Sequence, residues 1–156
     1  MPDGYGIDEA TEFLSWTTVE SKLSGALHYW LSTVSPNDSP HVVPRWGVWL
    51  DGGFWYDGSP NTRHVRNLDE NQECALHLED GTAATIVYGR SKQAKPAAGE
   101  WGTRLSAEFQ RKYAPGYAPR PDAWSGEGAG GLRTLRPRTV LAWTEFPKDM
   151  TRFSFD

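Results

Sequence analysis

Residues 54–68 (FWYDGSPNTRHVRNL) constrain the fold more than any other stretch of the chain. They begin with three aromatic residues, which favour a β-strand. Turn-forming residues follow at 57–61, where glycine permits a positive φ, proline fixes φ, and asparagine can bond its own backbone. Asn61 or Thr62 can then cap a helix that continues to about residue 71. The stretch therefore predicts a strand that passes through a tight turn directly into a helix.

The predicted helix begins beside three basic or titratable side chains, Arg63, His64 and Arg66. The free N–H groups and the macrodipole at a helix N-terminus attract anions. An arginine adds a planar fork of donors that matches a phosphate group. Two interpretations follow from these residues. They form either a phosphate-binding turn or a capped surface helix whose arginines are only solvated.

A β-hairpin is predicted immediately before this turn. Residues 41–50 (HVVPRWGVWL) alternate between two faces, and the residues on one of these faces are Val42, Pro44, Trp46, Val48 and Leu50. A proline within a strand indicates an edge or a bulge. Residues 51–53 (DGG) then connect this strand to the aromatic strand. A hairpin that leads into an anion-binding turn is more specific than either element alone.

The rest of the chain consists of short elements separated by turn sequences. A helix is predicted over residues 18–24, because residues 17–20 (TTVE) have the spacing of a capping box. The other predicted strands cover residues 26–34, 74–80, 82–90, 132–145 and 151–155. In total we expect six or seven strands, mostly joined by hairpins, and two or three short helices. The pattern favours a mainly β, antiparallel barrel that forms a single domain over residues 1–156.

Residues 91–130 differ in character from the strands around them. They are rich in Lys, Ala, Pro and Gly, and they predict one short helix over residues 103–113 followed by an extended loop. A long loop within a compact domain is usually functional or mobile. Trp124 in this loop is interpreted either as a lid over a pocket or as a surface anchor.

The composition excludes some classes of function. The 156 residues carry a net charge of −4, whereas a nucleic-acid-binding domain usually presents a basic face. Cys74, the one cysteine, lies in an apolar run and is predicted to be a core residue, so no multi-cysteine metal site is expected. His77 stands alone in its strand without a second metal ligand nearby. With no long apolar run and no signal peptide, we expect a cytoplasmic protein without a membrane-spanning segment.

The order of these elements resembles a known family. Residues 40–57 (PHVVPRWGVWLDGGFWYD), the turn and helix that follow, and the strands CALHLED and TIVYGR are similar to the pyridoxamine 5′-phosphate oxidase-like superfamily. These proteins bind flavin or deazaflavin cofactors, and the resemblance implies a split β-barrel. Residues 139–155 (TVLAWTEFPKDMTRFSF) resemble the branch that uses the deazaflavin F-420. The similarity is good over residues 26–91 and moderate over 132–155.

The resemblance implies a homodimer that holds its cofactor in two grooves between the barrels. It also implies that the second strand lies along the flavin or deazaflavin ring and that the strand–helix turn binds the phosphate. The positions that match the ring-binding strand are Val43, Pro44, Arg45 and Trp46. Those that match the phosphate-binding turn are Ser59, Thr62, Arg63 and His64, with Arg66 one helical turn further on.

Two departures from the family pattern affect the expected activity. Oxidases of this family often have a lysine where this chain has His64, and a glutamine where it has Ala84. A neutral histidine holds phosphate less firmly than a lysine, unless the bound anion raises its pKa. We therefore do not expect a true pyridoxamine 5′-phosphate oxidase.

The implied function is an oxidoreductase that transfers a hydride to or from a small organic substrate. F-420 is favoured over FMN as the cofactor, and reduction is favoured over oxidation. The cofactor would supply the chemistry, and no side chain is assigned a catalytic role. One alternative is an FMN-binding relative of pyridoxamine 5′-phosphate oxidase. Another is a carrier of flavin, haem or tetrapyrrole without turnover, and a third is a tryptophan-rich dimer whose turn binds no ligand.

Overall fold

The computed structural model of the chain describes residues 12–126, 129 and 131–156. Residues 1–11 belong to the predicted single domain but lie outside this described part. The helices are α1 (Trp16–Gly25), α2 (Arg63–Glu70) and α3 (Gly99–Tyr113). The strands are β1 (Tyr29–Val34), β2 (Pro40–Arg45), β3 (Val48–Leu50), β4 (Gly53–Tyr56), β5 (Glu73–His77), β6 (Thr85–Gln93), β7 (Arg133–Ala142) and β8 (Thr151–Ser154).

The strands pair antiparallel in one curled sheet. Along the sheet their order is β2-β1-β5-β6-β7-β4-β3, and β8 pairs with the second half of β7. The two strands at the ends of this order, β2 and β3, are consecutive in the chain. The backbone therefore joins the two edges of the sheet and curls it into a half-barrel. The predicted mainly β, antiparallel split barrel is confirmed, although the described residues form eight strands rather than six or seven.

The prediction of one continuous strand over residues 41–50 is wrong, because the strand breaks at Trp46 and Gly47. Gly47 lies directly against β4. A Cβ atom at this position would be 2.3 Å from Phe54 Cε2 and 2.6 Å from the carbonyl oxygen of Trp55. Such distances leave room for glycine alone, so the chain can turn from one edge of the sheet to the other at this point.

The hairpin between β3 and β4 forms where the sequence predicts it. Its two-residue loop consists of Asp51, with a φ of 50°, and Gly52, with a φ of 66°. Two consecutive positive φ values are the geometry that a tight β-hairpin requires. This turn fixes the register in which β4 leaves the sheet towards α2.

Two hydrophobic clusters form the interior, one on each side of β4. The first fills the curl of the sheet beneath α1 and α2, and its large members include Tyr29, Leu31, Phe54, Tyr56, Leu68 and Leu135. The second lies beneath α3, and its members are Val48, Trp55, Ala97, Leu105, Phe109, Trp124 and Leu132. Because successive side chains of a strand point to opposite faces, β4 contributes to both clusters and is buried along its whole length.

Two helices, α1 and α3, begin earlier than the sequence predicts. α1 is capped by Ser15, whose Oγ accepts a hydrogen bond from the Thr18 amide at 3.1 Å, so the predicted capping box at 17–20 is wrong. α3 begins at Gly99, four residues before the predicted start, and β6 extends to Gln93. Between α3 and β7 the described residues form no further helix or strand.

Candidate functional site

The predicted strand, turn and helix are β4, the residues that follow it, and α2. We refer to residues 57–66 as the β4–α2 corner. The turn is held by Ser59, whose carbonyl oxygen accepts bonds from the Thr62 amide at 3.2 Å and the Thr62 hydroxyl at 3.0 Å. Thr62 stands at the N-cap position as predicted, but its side chain makes no capping bond to the helix. The side chain of Thr62 therefore leaves the first-turn amides of α2 open to a ligand.

Two arginines from distant strands lie near this corner. Arg45 of β2 donates to the carbonyl oxygen of Asp57. Arg133 of β7 is buried, with 6% of its side chain exposed, and it donates to Asp69 Oδ1 at 2.8 Å. Within the described part of the chain, the buried Nε atoms of both arginines have no hydrogen-bond partner. Because an unpaired buried donor is costly, these groups favour an anionic ligand.

His64 does not add a positive charge to the corner at neutral pH. Its ring is buried beneath the start of α2, and Nε2 lies 3.3 Å from the Thr62 hydroxyl. Burial, together with the positive charge of Arg45, lowers the pKa of His64 from 6.5 to about 4. The imidazole therefore takes part in the site as a neutral hydrogen-bonding group rather than as a cation.

The remaining predicted phosphate-binding residues lie at the surface of the corner. Ser59, Arg63 and Arg66 are all exposed. Arg63 is the first residue of α2, so its side chain starts next to the open amides. The structure thus brings the exposed arginines and the half-buried Arg45 to the N-terminal end of α2, whereas Arg133 pairs with Asp69 in the last turn of the same helix.

A cleft of about 300 Å³ adjoins the corner. The residues that line it are Pro44, Arg45, Trp46, Asp57 and Tyr117. Three of these belong to the strand predicted to lie along the cofactor ring. The fourth predicted residue, Val43, packs with its side chain against the first hydrophobic cluster and does not line the cleft.

Aromatic residues from α3 and the segment after it pack beside this cleft, and Tyr117 lines it directly. The indole of Trp46 is 47% exposed and stacks on Tyr113, with ring centroids 5.1 Å apart and planes 7° apart. The ring of Tyr117 lies 6.5 Å from that of Trp46 at an angle of 51°. Tyr113 is held in turn by the backbone of Gly47, whose amide donates to its hydroxyl at 3.0 Å. We call Tyr113, Tyr117 and Trp124 the aromatic wall.

Trp124 is neither a lid nor a surface anchor, so both interpretations of its sequence context are wrong. The side chain is 2% exposed within the second hydrophobic cluster. Its Nε1 donates to Asp57 Oδ2 at 2.7 Å, and the Tyr117 hydroxyl donates to the same oxygen. Trp124 therefore connects the cleft to the second cluster.

Sequence reasoning missed several residues of the site. Asp57 was read as a turn residue only, and Tyr113, Tyr117 and Arg133 were assigned no role. The concentration of aromatic residues after residue 112 is a signal that could have pointed to a wall. Nothing in the sequence indicates that Arg133 lies near His64, since the two residues are brought together by the β4–β7 pairing.

The surroundings of Cys74 and His77 indicate that both side chains have a structural role. Cys74 is partly buried against the first cluster, and burial raises the pKa of its thiol to about 12. His77 lies with Nδ1 2.9 Å from the carbonyl oxygen of Leu78 and stacks on Trp30.

The described residues contain no group of three or more His, Cys, Asp or Glu side chains that could hold a metal ion. No helix within the described ranges is long and apolar enough to cross a membrane.

The curled antiparallel sheet and the strand–turn–helix corner place the molecule among the split-barrel proteins. A sequence model of the pyridoxamine 5′-phosphate oxidase family matches residues 17–142. The chain belongs to this family. A search of curated proteins found no match.

Solved structures with the same fold include proteins of different described functions. A structure described as an F420 reductase is 21% identical, with a TM-score of 0.60, over 78% of this chain and 94% of that chain. A conserved hypothetical protein from Mycobacterium tuberculosis is 18% identical, with a TM-score of 0.67, over 86% and 88%. A haem storage protein from Vibrio cholerae is 18% identical, with a TM-score of 0.61, over 85% and 94%. At these identities the similarity concerns the fold alone.

Proposed function

We propose that the protein is an oxidoreductase that binds a flavin-type cofactor, the deazaflavin F-420 in preference to FMN, and reduces a small organic substrate by hydride transfer. The observation that carries the proposal is the open N-terminus of α2 beside the half-buried Arg45, whose Nε has no hydrogen-bond partner among the described residues. Membership of the pyridoxamine 5′-phosphate oxidase family supports a cofactor of this class. An F420 reductase among the similar folds supports the deazaflavin.

The residues present fit an anionic cofactor with a flat ring. Arg63 and Thr62 would bind the phosphate, because they stand at the open helix end. The neighbouring groups of the corner that would support them are Ser59, His64 and Arg66. Pro44, Arg45 and Trp46 line the cleft beside the corner and would face the ring, with the backbone of Val43 continuing the same strand.

The cofactor supplies the hydride chemistry when bound. The residues of the chain hold and orient it, because arginine and helix amides bind the anionic end while the indole of Trp46 offers a flat apolar surface. Trp46 and Tyr117, which line the cleft, would shield a bound ring from water. Neutral His64 contributes a hydrogen bond and no charge, so the electrostatic attraction comes from the arginines.

We also propose that the protein is a homodimer. Large apolar side chains project from the outer face of β1, β2 and β6, and they are Trp30, Val34, Val42 and Tyr88. Val42 is 51% exposed and Tyr88 is 44% exposed. An apolar face of this kind normally marks an interface. Sedimentation of a Val42→Glu variant should show monomers, whereas an Arg152→Glu variant on β8 should remain dimeric.

Cofactor titration of the apo-protein tests the main proposal. We expect the absorption spectrum to change with F-420 at lower concentration than with FMN. Arg63→Ala should lose on the order of 2–3 kcal/mol of F-420 affinity, or about 30- to 150-fold, the scale of a charge-assisted hydrogen bond to phosphate. Arg152→Ala, which removes an exposed arginine away from the corner, is the matched control. Unchanged affinity in Arg63→Ala would contradict the assignment of the corner.

Two further measurements separate the enzyme from a carrier. Reduced F-420 should be consumed steadily when an enone or a quinone is added. A parallel titration with haem is informative because similar folds include haem-binding proteins. If the protein gives a haem spectrum and its absorption does not respond to F-420 or FMN, the oxidoreductase proposal is wrong and the carrier alternative takes its place.

A further inference from the structure

The break between β2 and β3 leaves Gly47 outside the sheet ladders, and a side chain of α3 binds its backbone. The Gly47 amide donates to the Tyr113 hydroxyl at 3.0 Å. The same hydroxyl lies 2.7 Å from the Gly47 carbonyl oxygen and 2.8 Å from that of Leu27, and its one proton can go to either acceptor. Burial raises the pKa of Tyr113, so the hydroxyl keeps this proton at neutral pH. Because the backbone groups at the break need partners, Tyr113 fixes the turn.

Lys112, the preceding residue of α3, contacts the same turn. Its ammonium group donates to the carbonyl oxygen of Ala26 at 2.7 Å and to the Tyr29 hydroxyl at 2.6 Å, and it lies 3.4 Å from the Gly47 carbonyl oxygen. The Tyr29 hydroxyl donates its own proton to the Leu23 carbonyl oxygen, so it can accept from Lys112. Burial lowers the pKa of Lys112 to about 8, and the amine is still mostly protonated at pH 7. The end of α3 is thus joined to α1, β1 and the turn between β2 and β3.

These contacts bear on Trp46, which directly precedes Gly47. The Trp46 indole stacks on the ring of Tyr113, with the two planes 7° apart. Tyr113 therefore holds Trp46 in two ways, through the stacked ring and through the backbone of the next residue. Because 47% of Trp46 is exposed, burial in the core does not fix the indole, and its orientation depends on these contacts.

We propose that Tyr113 is a positioning residue that holds the Trp46 indole in its place beside the cleft, and that Lys112 anchors the end of α3 from which Tyr113 acts. This role can be measured without any ligand, whereas its consequence for cofactor affinity rests on the proposed function. α3 also carries Leu105 and Phe109 into the second hydrophobic cluster. Packing in that cluster and the position of Trp46 are therefore linked through one helix.

Near-ultraviolet circular dichroism of the full chain tests the role of Tyr113 without a ligand. The difference between the spectra of the unchanged protein and Trp46→Phe is the signal of an indole held in a fixed place. Measured again with Tyr113→Leu in both proteins, this difference should lose about half of its size or more, because the stack and the hydrogen bonds are both removed. Tyr113→Phe, which removes one oxygen atom and keeps the ring, should give an intermediate signal.

Each of these variants can contradict the proposal. A full Trp46 signal in Tyr113→Leu overturns the positioning role, and a full signal in Tyr113→Phe overturns the part assigned to the hydroxyl. If Tyr113→Leu does not fold, Tyr113→Phe decides the question.

A matched pair of variants tests the anchoring role of Lys112. Lys112→Met removes the ammonium group and its bonds, and it should reduce the Trp46 signal. Arg111→Met removes a positive charge at the adjacent position, where the side chain is exposed and pairs with Glu108, and it should leave the signal unchanged. Equal signals in the two variants overturn the role of Lys112.

Titration with F-420 tests the consequence for the cofactor. Tyr113→Phe and Lys112→Met should each weaken F-420 binding about fivefold, the scale of one lost hydrogen bond. In a Trp46→Ala background neither change should weaken binding further, because both residues act through Trp46. Losses that add to that of Trp46→Ala overturn this route. Arg111→Met is again the control.

The two proposals fail in distinguishable ways. If the Trp46 signal depends on Tyr113 in a protein that binds neither F-420 nor FMN, the proposed function is wrong and the role of Tyr113 stands. If F-420 binds and the Trp46 signal is unchanged in Tyr113→Leu, the positioning role is wrong and the proposed function stands.

Discussion

The β4–α2 corner and the aromatic wall meet at the same cleft, through Asp57 and Tyr117, but they are built in different ways. The corner is closed by bonds between close neighbours, such as those that join Ser59 to Thr62. The wall is closed by bonds from Tyr117 and Trp124 to Asp57 across 60 residues or more. The turn from Ser59 to Thr62 therefore depends on local sequence, whereas Asp57 and the wall depend on contacts across the fold and on the packing of the second hydrophobic cluster.

This difference has a consequence for stability. Bonds between close neighbours restrict only a short piece of chain, so the corner can keep its shape when distant packing is disturbed. Tyr117 and Trp124 of the wall belong to a segment without helix or strand, and the order of that segment is maintained by the buried rings beneath α3. Changes to the second cluster should therefore affect the wall more strongly than the corner.

The largest effect is expected for Phe109→Ala. Phe109 is fully buried, and its ring lies 5.4 Å from that of Trp124 and 5.6 Å from that of Tyr117. Removing the ring should lower the free energy of unfolding by about 3–5 kcal/mol, as measured by urea denaturation. The exposed Arg111→Ala on the same helix should cost less than about 1 kcal/mol. Equal losses in the two variants would show that the second cluster does not support the wall.

Gly47→Ala should have the next largest effect, because Gly47 lies between the two regions. The new methyl group would overlap the ring of Phe54 and the carbonyl group of Trp55. We expect a loss of about 2–3 kcal/mol in the free energy of unfolding. Gly81→Ala is the control, since a Cβ atom there has nothing within 4 Å. If the two variants are similarly stable, the backbone between β2 and β3 can move enough to accommodate the methyl group.

His64 should make the stability of the corner depend on pH. The pKa of His64 is lowered in the folded state, so the unfolded chain binds more protons between pH 6.5 and pH 4. Its contribution is complete above pH 6.5 and is lost as the pH falls towards 4, by about 3 kcal/mol. Denaturation of the unchanged protein and of His64→Asn at several pH values measures it. Parallel stability curves for the two proteins would contradict the buried neutral imidazole.

The smallest effect is expected where α3 meets the β3–β4 hairpin at the surface. Arg104 pairs with Asp51 at 2.9 Å, and both side chains are about half exposed. Arg104→Ala should cost less than about 1 kcal/mol, and the difference should vanish in about 1 M salt. Denaturation at low and high salt checks this, with Thr103→Ala as the neighbouring control. A larger, salt-independent loss would show that this contact contributes to holding the wall.

Much of the fold could be predicted because its signals are local. The alternation in β2, the Asp51-Gly52 turn and the start of α2 each depend on a few adjacent residues. The break at Gly47 could not be predicted, because it follows from the distance to Phe54 across the sheet. The start of α1 could not be predicted either, because Ser15 caps the helix in place of the capping box that begins two residues later.

The residues of the candidate site likewise differ in whether local sequence could predict their roles. Ser59, Thr62, Arg63, His64 and Arg66 were predicted together, and the structure places them together at one helix end. The sequence could not show that His64 is buried and uncharged, since its burial depends on the surrounding fold. The sequence indicates no role in the site for Asp57 and Arg133, because their partners, Trp124 and Asp69, are identified only in the folded chain.

The pairing of β7 has a further consequence for how the molecule behaves in a crowded solution. β7 pairs with β4 through residues 133–135 and with β8 through residues 139–142, so its partner changes between these ranges. Pro137 occupies the interval, flanked by the exposed Arg136 and Arg138. Proline has no amide proton to offer a foreign strand, and Arg136, which donates to the Asp51 carbonyl on this side of β7, adds a charge that repels another copy of the same edge. The short unpaired edge of β7 between β4 and β8 is therefore protected against edge-to-edge aggregation by its own sequence.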